Sequence, residues 1–527
     1  MFFFWIAHNE QGWRAWLLGG LSLLCTFLPA TTYFFSIRLP FQQSIYFFLA
    51  IAAFLFFTGA LIMFTLVAAA RHLRGVSLLL MPLLFESFQF LIVVFSTHSG
   101  LIPPPTVSPG STLTAFPPLM QLASFTGVFG ADFLVLFLAS LLAVAAQEIV
   151  LLQPGLRRRL GLKPELQPLT PHAQRMARNL ALTVLLGLGT LVLAGNLEAA
   201  KIGNAQSNRS RSLAVALVQP NLDIPRGLSD PKARETLALE NYREAIRAAA
   251  RQHADLVVFP ENIWPESLPR AEHFWEGLRG ALRESKIFAI AGMMTQTDGE
   301  HLHNRWYLLD REGEIRGTYA KRYLIPFGEY IPYRTFLGEL REAFNGLRGR
   351  PREHPELSPV TKPNMDVTPG TQESLFVQDQ SRYFIKICDE LQFSQYFREG
   401  VRLGGEAVFS PSTGEWFPTP LYFRQFLAQA CFRAVETRRW IGRTANYANA
   451  YFVNAQGRLE CSTPFNSPAV LVYDVPLLTY QTFYVRFGNL FGWSCVLLSL
   501  GAFTRIAVQK FFEPEKKTPP SAPGGAL

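Results

Sequence analysis

Long apolar runs alternate with short polar connections over the first 200 residues, then give way to a mixed pattern that lasts almost to the end. A membrane-spanning helix needs about 20 predominantly apolar residues. Five early runs meet that length, at roughly Trp13–Phe35, Ile45–Ala70, Val76–Phe95, Asp132–Val150 and Asn179–Leu197, and a sixth covers about Val485–Val508. The stretch Pro117–Gly130 is apolar but broken by Gly and Thr, and it predicts an interfacial or re-entrant piece rather than a span. Arg and Lys concentrate in three places: Arg71 to Arg74, the 153–178 loop with Arg157, Arg158, Arg159, Lys163, Arg175 and Arg178, and the tail with Lys510, Lys516 and Lys517. If the helices alternate, all three fall on one side, which the positive-inside rule assigns to the cytoplasm. The Leu101–Pro118 loop, which has no Lys or Arg, then faces out, and so does everything from about Glu198 to Tyr484.

The texture changes at Ser212. Ser212–Gln219 (SLAVALVQ) predicts a buried strand, and Asp230–Gln252 has helical spacing of its apolar residues. Asp255–Pro260 and Ile287–Met293 predict strands on either side of a helix at Phe274–Glu284. Asn304–Leu309 and Glu314–Ala320 flank D-R-E-G as a hairpin. Tyr383–Ile387 predicts a strand ending at Cys388, followed by a helix at Ser394–Leu403, a strand at Glu406–Ser410 and a helix at Leu421–Arg438. Gly442–Ala445 and Ala450–Asn454 are further strands. Alternating strands and helices predict a layered α/β domain. The expected division is residues 1–200 as a multi-pass α-helical membrane bundle, 201–480 as the α/β domain, 481–510 as a last span and 511–527 as a disordered cytoplasmic tail. Thr335–Pro369 is polar, rich in Pro and Gly, and long for a loop, so it is either a lid or a surface insertion.

Composition agrees with this division. Of 527 residues, 49% are hydrophobic, 17% are charged and 45 are Phe, which is too apolar for a water-soluble chain. The net charge of +9 is accounted for by cytoplasmic loops, and no nucleic-acid motif accompanies it. No cleavable signal pattern follows Met1–Ile6, so the first span is expected to stay attached. The five cysteines, Cys25, Cys388, Cys431, Cys461 and Cys495, have no zinc-ligand spacing, and the spacing leaves open whether Cys431 and Cys461 pair. Glu86 lies inside the third span, where a carboxylate must face a partner or water.

Three polar residues stand at or just past strand ends, where α/β folds gather their active sites. They are Glu261 in V-V-F-P-E, Lys321 in Y-A-K-R-Y-L-I-P-F-G-E-Y-I-P and Cys388 in I-K-I-C-D-E. A free thiol is mostly protonated at neutral pH. A carboxylate can take its proton, and an ammonium group, helped by the backbone N–H after the nucleophile, can stabilise the oxyanion of a tetrahedral intermediate. Such a set forms an acyl-thioester and passes the acyl group on. Glu266 in W-P-E-S-L-P competes with Glu261 for the role of base, and Glu261 is favoured because it directly ends its strand.

The order Glu, Lys, Cys on this strand pattern resembles the nitrilase superfamily. Leu324–Pro332 with Lys321 upstream, Phe432–Arg439, and Gln121–Gly130 are similar to the apolipoprotein N-acyltransferase family. The resemblance implies an α-β-β-α nitrilase-like sandwich, with Glu261 as base, Lys321 as oxyanion stabiliser and Cys388 as nucleophile. It further implies Glu329 and Glu390 as supporting carboxylates and Trp416 as an aromatic near the lipid entrance. The implied reaction is ping-pong. Cys388 takes an acyl chain from a phospholipid, then passes it to the N-terminal amine of a diacylglyceryl-cysteine on an apolipoprotein, with no metal or cofactor. The implied setting is a monomer in the bacterial inner membrane with its catalytic domain in the periplasm. This chain departs from the family at several points. Asp389 stands where the family usually has Tyr, N-Y-A-N (Asn446–Asn449) replaces an N-T-G pattern, and six spans are counted where eight are common. A membrane-tethered amidase, an acyltransferase with another amine acceptor, and a silent lipoprotein-binding relative are the competing readings.

Overall fold

The computed structural model describes residues 13–27, 52–53, 56–57, 59–61, 77–99, 108–159, 170–207, 211–222, 230–264, 267–268, 270–297, 301–326, 329–330, 366–414 and 419–512. Most of the expected span Ile45–Ala70 lies outside them, as do Glu266, Trp416, most of Thr335–Pro369 and the tail after Phe512.

Among the described residues, the long helices that precede the α/β domain are α1 (Trp13–Phe27), α2 (Ser77–Ser99), α3 (Val128–Leu152) and α4 (Pro171–Ser207). Three of these, α2, α3 and α4, are long and apolar enough to cross a membrane. Large apolar side chains on α3 and α4 point outward: Leu142 and Leu186 are each 70% exposed. Helices with closed backbone hydrogen bonding and an apolar outer face suit a lipid environment. Helix α4 has 37 residues, about 55 Å at ~1.5 Å per residue. It is longer than the apolar run alone predicts, because polar turns extend it at both ends into the loop before it and the domain after it. Pro117–Gly130 contains two short helices, Pro117–Met120 and Ala123–Thr126; Met120, Ala123 and Leu122 between them are fully buried.

The α/β domain runs through β1 (Ser212–Gln219), α5 (Pro231–Arg251), β2 (Leu256–Val258), α6 (Glu272–Ser285), β3 (Phe288–Thr297), β4 (His301–Leu309) and β5 (Ile315–Ala320). It continues through β6 (Phe376–Gln378), β7 (Ser381–Ile385), α7 (Ser394–Arg402), β8 (Ala407–Thr413) and α8 (Pro420–Thr437). It closes with β9 (Ile441–Asn446), β10 (Tyr451–Val453), β11 (Leu459–Ser462) and β12 (Ala469–Pro476), before the last apolar helix, α9 (Leu490–Phe512). The strands form two six-stranded sheets, ordered β12-β1-β2-β3-β4-β5 and β11-β10-β9-β8-β7-β6. In β1, alternation sends Leu213, Val215 and Leu217 to one face and Ala216 and Val218 to the other.

The first face meets Tyr383, Ile385, Phe409 and Phe452 of the second sheet, and the other packs under α5 and α6. The outer face of the second sheet packs under α7 and α8, completing an α-β-β-α sandwich. That last layer is shared. Phe426, Phe432 and Val435 of α8 belong to the same apolar core as Met120, Phe133 and Phe137 of the membrane part. β12 pairs antiparallel with β1 from Ser212↔Pro476 to Gln219↔Ala469, so the first and last strands of the domain are neighbours.

Buried Arg438 and Glu436 cross the same seam, with Arg439 beside them. The Arg438 guanidinium donates to Gln121 Oε1 at 2.7 Å, to the Gly195 carbonyl at 3.0 Å, to Glu198 Oε2 at 3.1 Å and to the Ala455 carbonyl at 3.2 Å. Arg439 donates to the carbonyls of Gly405 and Tyr480, at 2.7 and 2.6 Å. Glu436 pairs with Arg433 and accepts from the Val128 backbone N–H at the start of α3, at 2.7 Å. Burial, opposed by Arg433, pushes the Glu436 carboxyl up to about 7.

Candidate active site

Glu261, Lys321 and Cys388 come together where β2, β5 and β7 end. Chain direction explains this: β2 and β7 both run into the crevice between the sheets, and each releases its polar residue a few positions past its last paired residue. The Glu261 backbone N–H donates to the Ser412 carbonyl on β8 at 3.0 Å, tying one sheet to the other at this point. The Lys321 backbone N–H donates to the Asn304 carbonyl at 2.9 Å. Cys388 opens a short 3-10 helix (Cys388–Gln392) and has φ of 51°. A non-Gly residue in that left-handed region is strained by about 1–2 kcal/mol and persists only where its surroundings hold it.

Glu390 does the holding. Its carboxylate accepts from the Ile387 N–H at 2.8 Å, the Arg322 N–H at 2.7 Å, the Tyr323 N–H at 3.2 Å and the Tyr319 hydroxyl at 2.8 Å. It is fully buried and clamps the Cys388 loop to the Lys321 loop. Lys386, just before the loop, is buried against Glu373, and Arg322 reaches Glu373 as well.

Lys321 is 1% exposed, and its ammonium donates to Glu261 Oε1 at 3.1 Å and to Glu329 Oε1 at 2.9 Å. Asn304, itself held by the Trp306 indole N–H, donates to the same Glu261 oxygen at 2.8 Å. Glu329 Oε2 accepts from the Ile325 N–H at 2.8 Å. Glu261 is therefore fixed through one oxygen, while its Oε2 is buried without a partner among the described residues. An orphaned carboxylate oxygen is unfavourable unless something arrives to donate to it.

Behind the thiol, the Ser412 hydroxyl donates to Cys388 Sγ at 3.5 Å, and Arg443 donates to the hydroxyls of Ser412 and Ser410, each at 2.9 Å. Burial, reinforced by Glu261 and Asp389 and opposed by Lys321 and Arg443, pushes the Cys388 thiol well above its usual range. Burial works against the Lys321 ammonium, but Glu261 and Glu329 outweigh it and hold it above the usual lysine range. Burial raises the Glu329 carboxyl while Lys321 pulls it back. At rest the site thus contains a neutral thiol, a fixed ammonium and a carboxylate with one free oxygen. That arrangement can move the thiol proton during attack and neutralise a developing oxyanion.

Sequence reasoning named Glu261, Lys321, Cys388, Glu329 and Glu390, and the structure gathers these five. It did not single out Asn304, Ser412 or Arg443. The available signal was Arg443 itself, a guanidinium on an otherwise buried strand, which requires nearby acceptors. Among the described residues no group of His, Cys, Asp and Glu could hold a metal ion. Cys431 and Cys461 are both free thiols.

Comparison with known proteins gives a consistent picture. Residues 214–484 match the carbon-nitrogen hydrolase family. An apolipoprotein N-acyltransferase from Geobacter metallireducens is 28% identical over 431 residues, covering 80% of this chain and 73% of that protein. Another from a Nostoc species is 28% identical over 307 residues, 56% of this chain and 55% of its own, so the chain spans about half the length of that relative. Among solved structures, an amidase from a Nesterenkonia species aligns at 17% identity and a TM-score of 0.36, over 51% of this chain and 92% of that one.

Proposed function

The chain belongs to the carbon-nitrogen hydrolase family, and from that premise we propose that it is a membrane N-acyltransferase that loads Cys388 with an acyl chain from a phospholipid and delivers it to the N-terminal amine of a diacylglyceryl apolipoprotein. One observation carries the reading: the catalytic loops rest on a membrane helix. Tyr323, two residues past Lys321, and Phe393 and Tyr396, just beyond the Cys388 turn, form one apolar cluster that packs on Val93 of α2. A site built there is within reach of acyl chains in a bilayer. The names of the Geobacter and Nostoc relatives support the same acceptor class.

In the first half-reaction Cys388 Sγ attacks the ester carbonyl, and its proton passes to Glu261 Oε2. The Lys321 ammonium faces the oxyanion, and the Arg443–Ser412 pair stabilises the sulfur as charge develops. The protonated Glu261 then gives its proton to the departing lysophospholipid oxygen. In the second half-reaction an amine attacks the thioester carbonyl and the thiol is regenerated. Glu329 keeps Lys321 charged and placed, and Glu390 holds the two loops together. Trp416, outside the described residues, is assigned to the lipid entrance. The proposed setting is a monomer in the bacterial inner membrane, with residues 1–200 and 481–510 in the bilayer and residues 201–480 on the periplasmic side.

Intact-mass spectrometry tests the reading. Incubation with phospholipid should add one acyl mass to the protein and none to Cys388→Ala. Adding a diacylated lipopeptide should remove that mass and yield the triacylated peptide. Release of free fatty acid without acceptor would favour a hydrolase, and an acyl mass on Cys388→Ala would remove Cys388 as nucleophile.

A further inference from the structure

We propose that Asp389 is the base that takes the proton from the acceptor's ammonium group, so that the second half-reaction has a carboxylate distinct from the one used in the first. This rests on the thioester reading above.

Asp389 directly follows the nucleophile, yet it differs from its neighbours. Cys388 is 4% exposed and Glu390 is fully buried, whereas Asp389 is half-buried. Its Oδ1 accepts from the Gln392 side-chain N–H at 2.8 Å, and no other donor reaches the carboxylate among the described residues. Because Gln392 turns its nitrogen to Asp389, its own Oε1 is left buried without a partner among the described residues. Glu261 Oε2 is in the same condition, and Glu261 is 4% exposed. Two acceptor oxygens, Glu261 Oε2 and Gln392 Oε1, thus have no donor among the described residues. A phospholipid ester has no N–H to give at its reacting carbonyl. A primary ammonium carries three, so the second substrate fits these oxygens and the first does not.

The chemistry requires such a group. An ammonium cannot attack a carbonyl, and α-amines have pKa values of about 7.7–8.0, so near neutral pH most acceptor molecules arrive protonated. Glu261 is held through one oxygen by Lys321 and Asn304, and its free oxygen serves the sulfur proton. Asp389 is faced by Lys321 and Tyr323 from the segment after β5, Glu261 from the end of β2, Arg443 from β9, and Cys388 on its own loop. Burial holds its carboxyl above the ordinary range, with Lys321 pulling it back, which brings it closer to the amine it would deprotonate.

The step balances. The Asp389 carboxylate removes one proton from R–NH3+ and later releases it to water. The neutral nitrogen forms the C–N bond, the C–S bond breaks, and the remaining proton passes through Glu261 to the departing sulfur. The products are the amide, the thiol and one proton.

The test uses the full-length protein, acylated with phospholipid and verified by intact mass, then mixed in single turnover with a diacylglyceryl-cysteinyl peptide or with hydroxylamine, which is neutral at pH 7. In Asp389→Asn, transfer to the peptide amine at pH 7 should fall by about tenfold, the share lost to protonation, and recover as pH passes the amine's own value of about 8. Hydroxylaminolysis should fall far less. An equal loss with both nucleophiles, or an unchanged rate and pH profile with the peptide, overturns the inference and leaves the thioester reading intact. Failure of the unaltered protein to acquire an acyl mass overturns both. If Asp389→Asn does not fold, the unaltered protein decides. Its transfer rate should stay level below pH ~8, and a tenfold fall per pH unit from the amine's pKa downward overturns the inference.

Discussion

Two clusters of buried charge, one along α8 and just after it and one around Cys388, use their hydrogen-bonding capacity differently. Along α8 and just after it, Arg438 and Arg439 direct their donors at backbone carbonyls and side chains of other segments, and Glu436 caps the start of α3. Around Cys388, Glu329 and Glu390 use both carboxylate oxygens, but Glu261 is held through one while the other is left open among the described residues. In the first cluster, Arg438 and Glu436 join the domain to the membrane helices, and Arg439 binds carbonyls beside β8 and after β12. The second keeps unmet capacity for something that comes and goes. Burial of charge is therefore not by itself a mark of an active site; the free acceptor beside a nucleophile is.

The sharpest way to break this contrast is to remove one charge from each cluster. Arg438→Ala should destabilise the protein by roughly 3–5 kcal/mol, because Glu198 loses its buried counter-ion and three other acceptors lose a donor. A lowered thermal unfolding midpoint in detergent should accompany an unchanged pH profile of acyl transfer in the surviving folded fraction. A changed profile with an unchanged midpoint would place Arg438 in the chemistry instead. Lys321→Ala should slow acyl-enzyme formation by about 10²–10³-fold, as loss of an oxyanion donor does. A rate within a few fold of the unaltered protein in single-turnover kinetics would remove it from that role. The smallest effect is electrostatic. Asp389 raises the Cys388 thiol, so Asp389→Asn should bring thiol titration to lower pH. Alkylation rates measured across pH would contradict this if the midpoint held still or rose.

The fold was legible wherever period and length carried the signal. The strand at Ser212–Gln219 and the hairpin around D-R-E-G follow from alternation and turn chemistry, and the apolar runs announce helices. β12 was not anticipated. A-V-L-V-Y-D-V-P has ordinary strand composition, but nothing local says that it returns to pair with β1, a partner more than 250 residues away. The active site was legible where a reactive residue followed a strand. Asn304, Ser412 and Arg443 were not, because each lies inside a strand and acts through another residue. Asp389 could be seen only as a charge beside the thiol. Its half-buried position and single donor depend on the left-handed turn at Cys388, a tertiary fact.

The register Ser212↔Pro476 has a mechanical consequence. Adjacent strands lie about 5 Å apart, so the two covalent stems of the α/β domain leave from a single corner. Hung that way, the domain would pivot like a door on one hinge. Arg438 acts as a latch, fastening the end of α8 to Gln121, Gly195 and Glu198. The spacing between the Cys388 turn and the apolar helices is thus set by this latch and by the packing they share rather than by chain length.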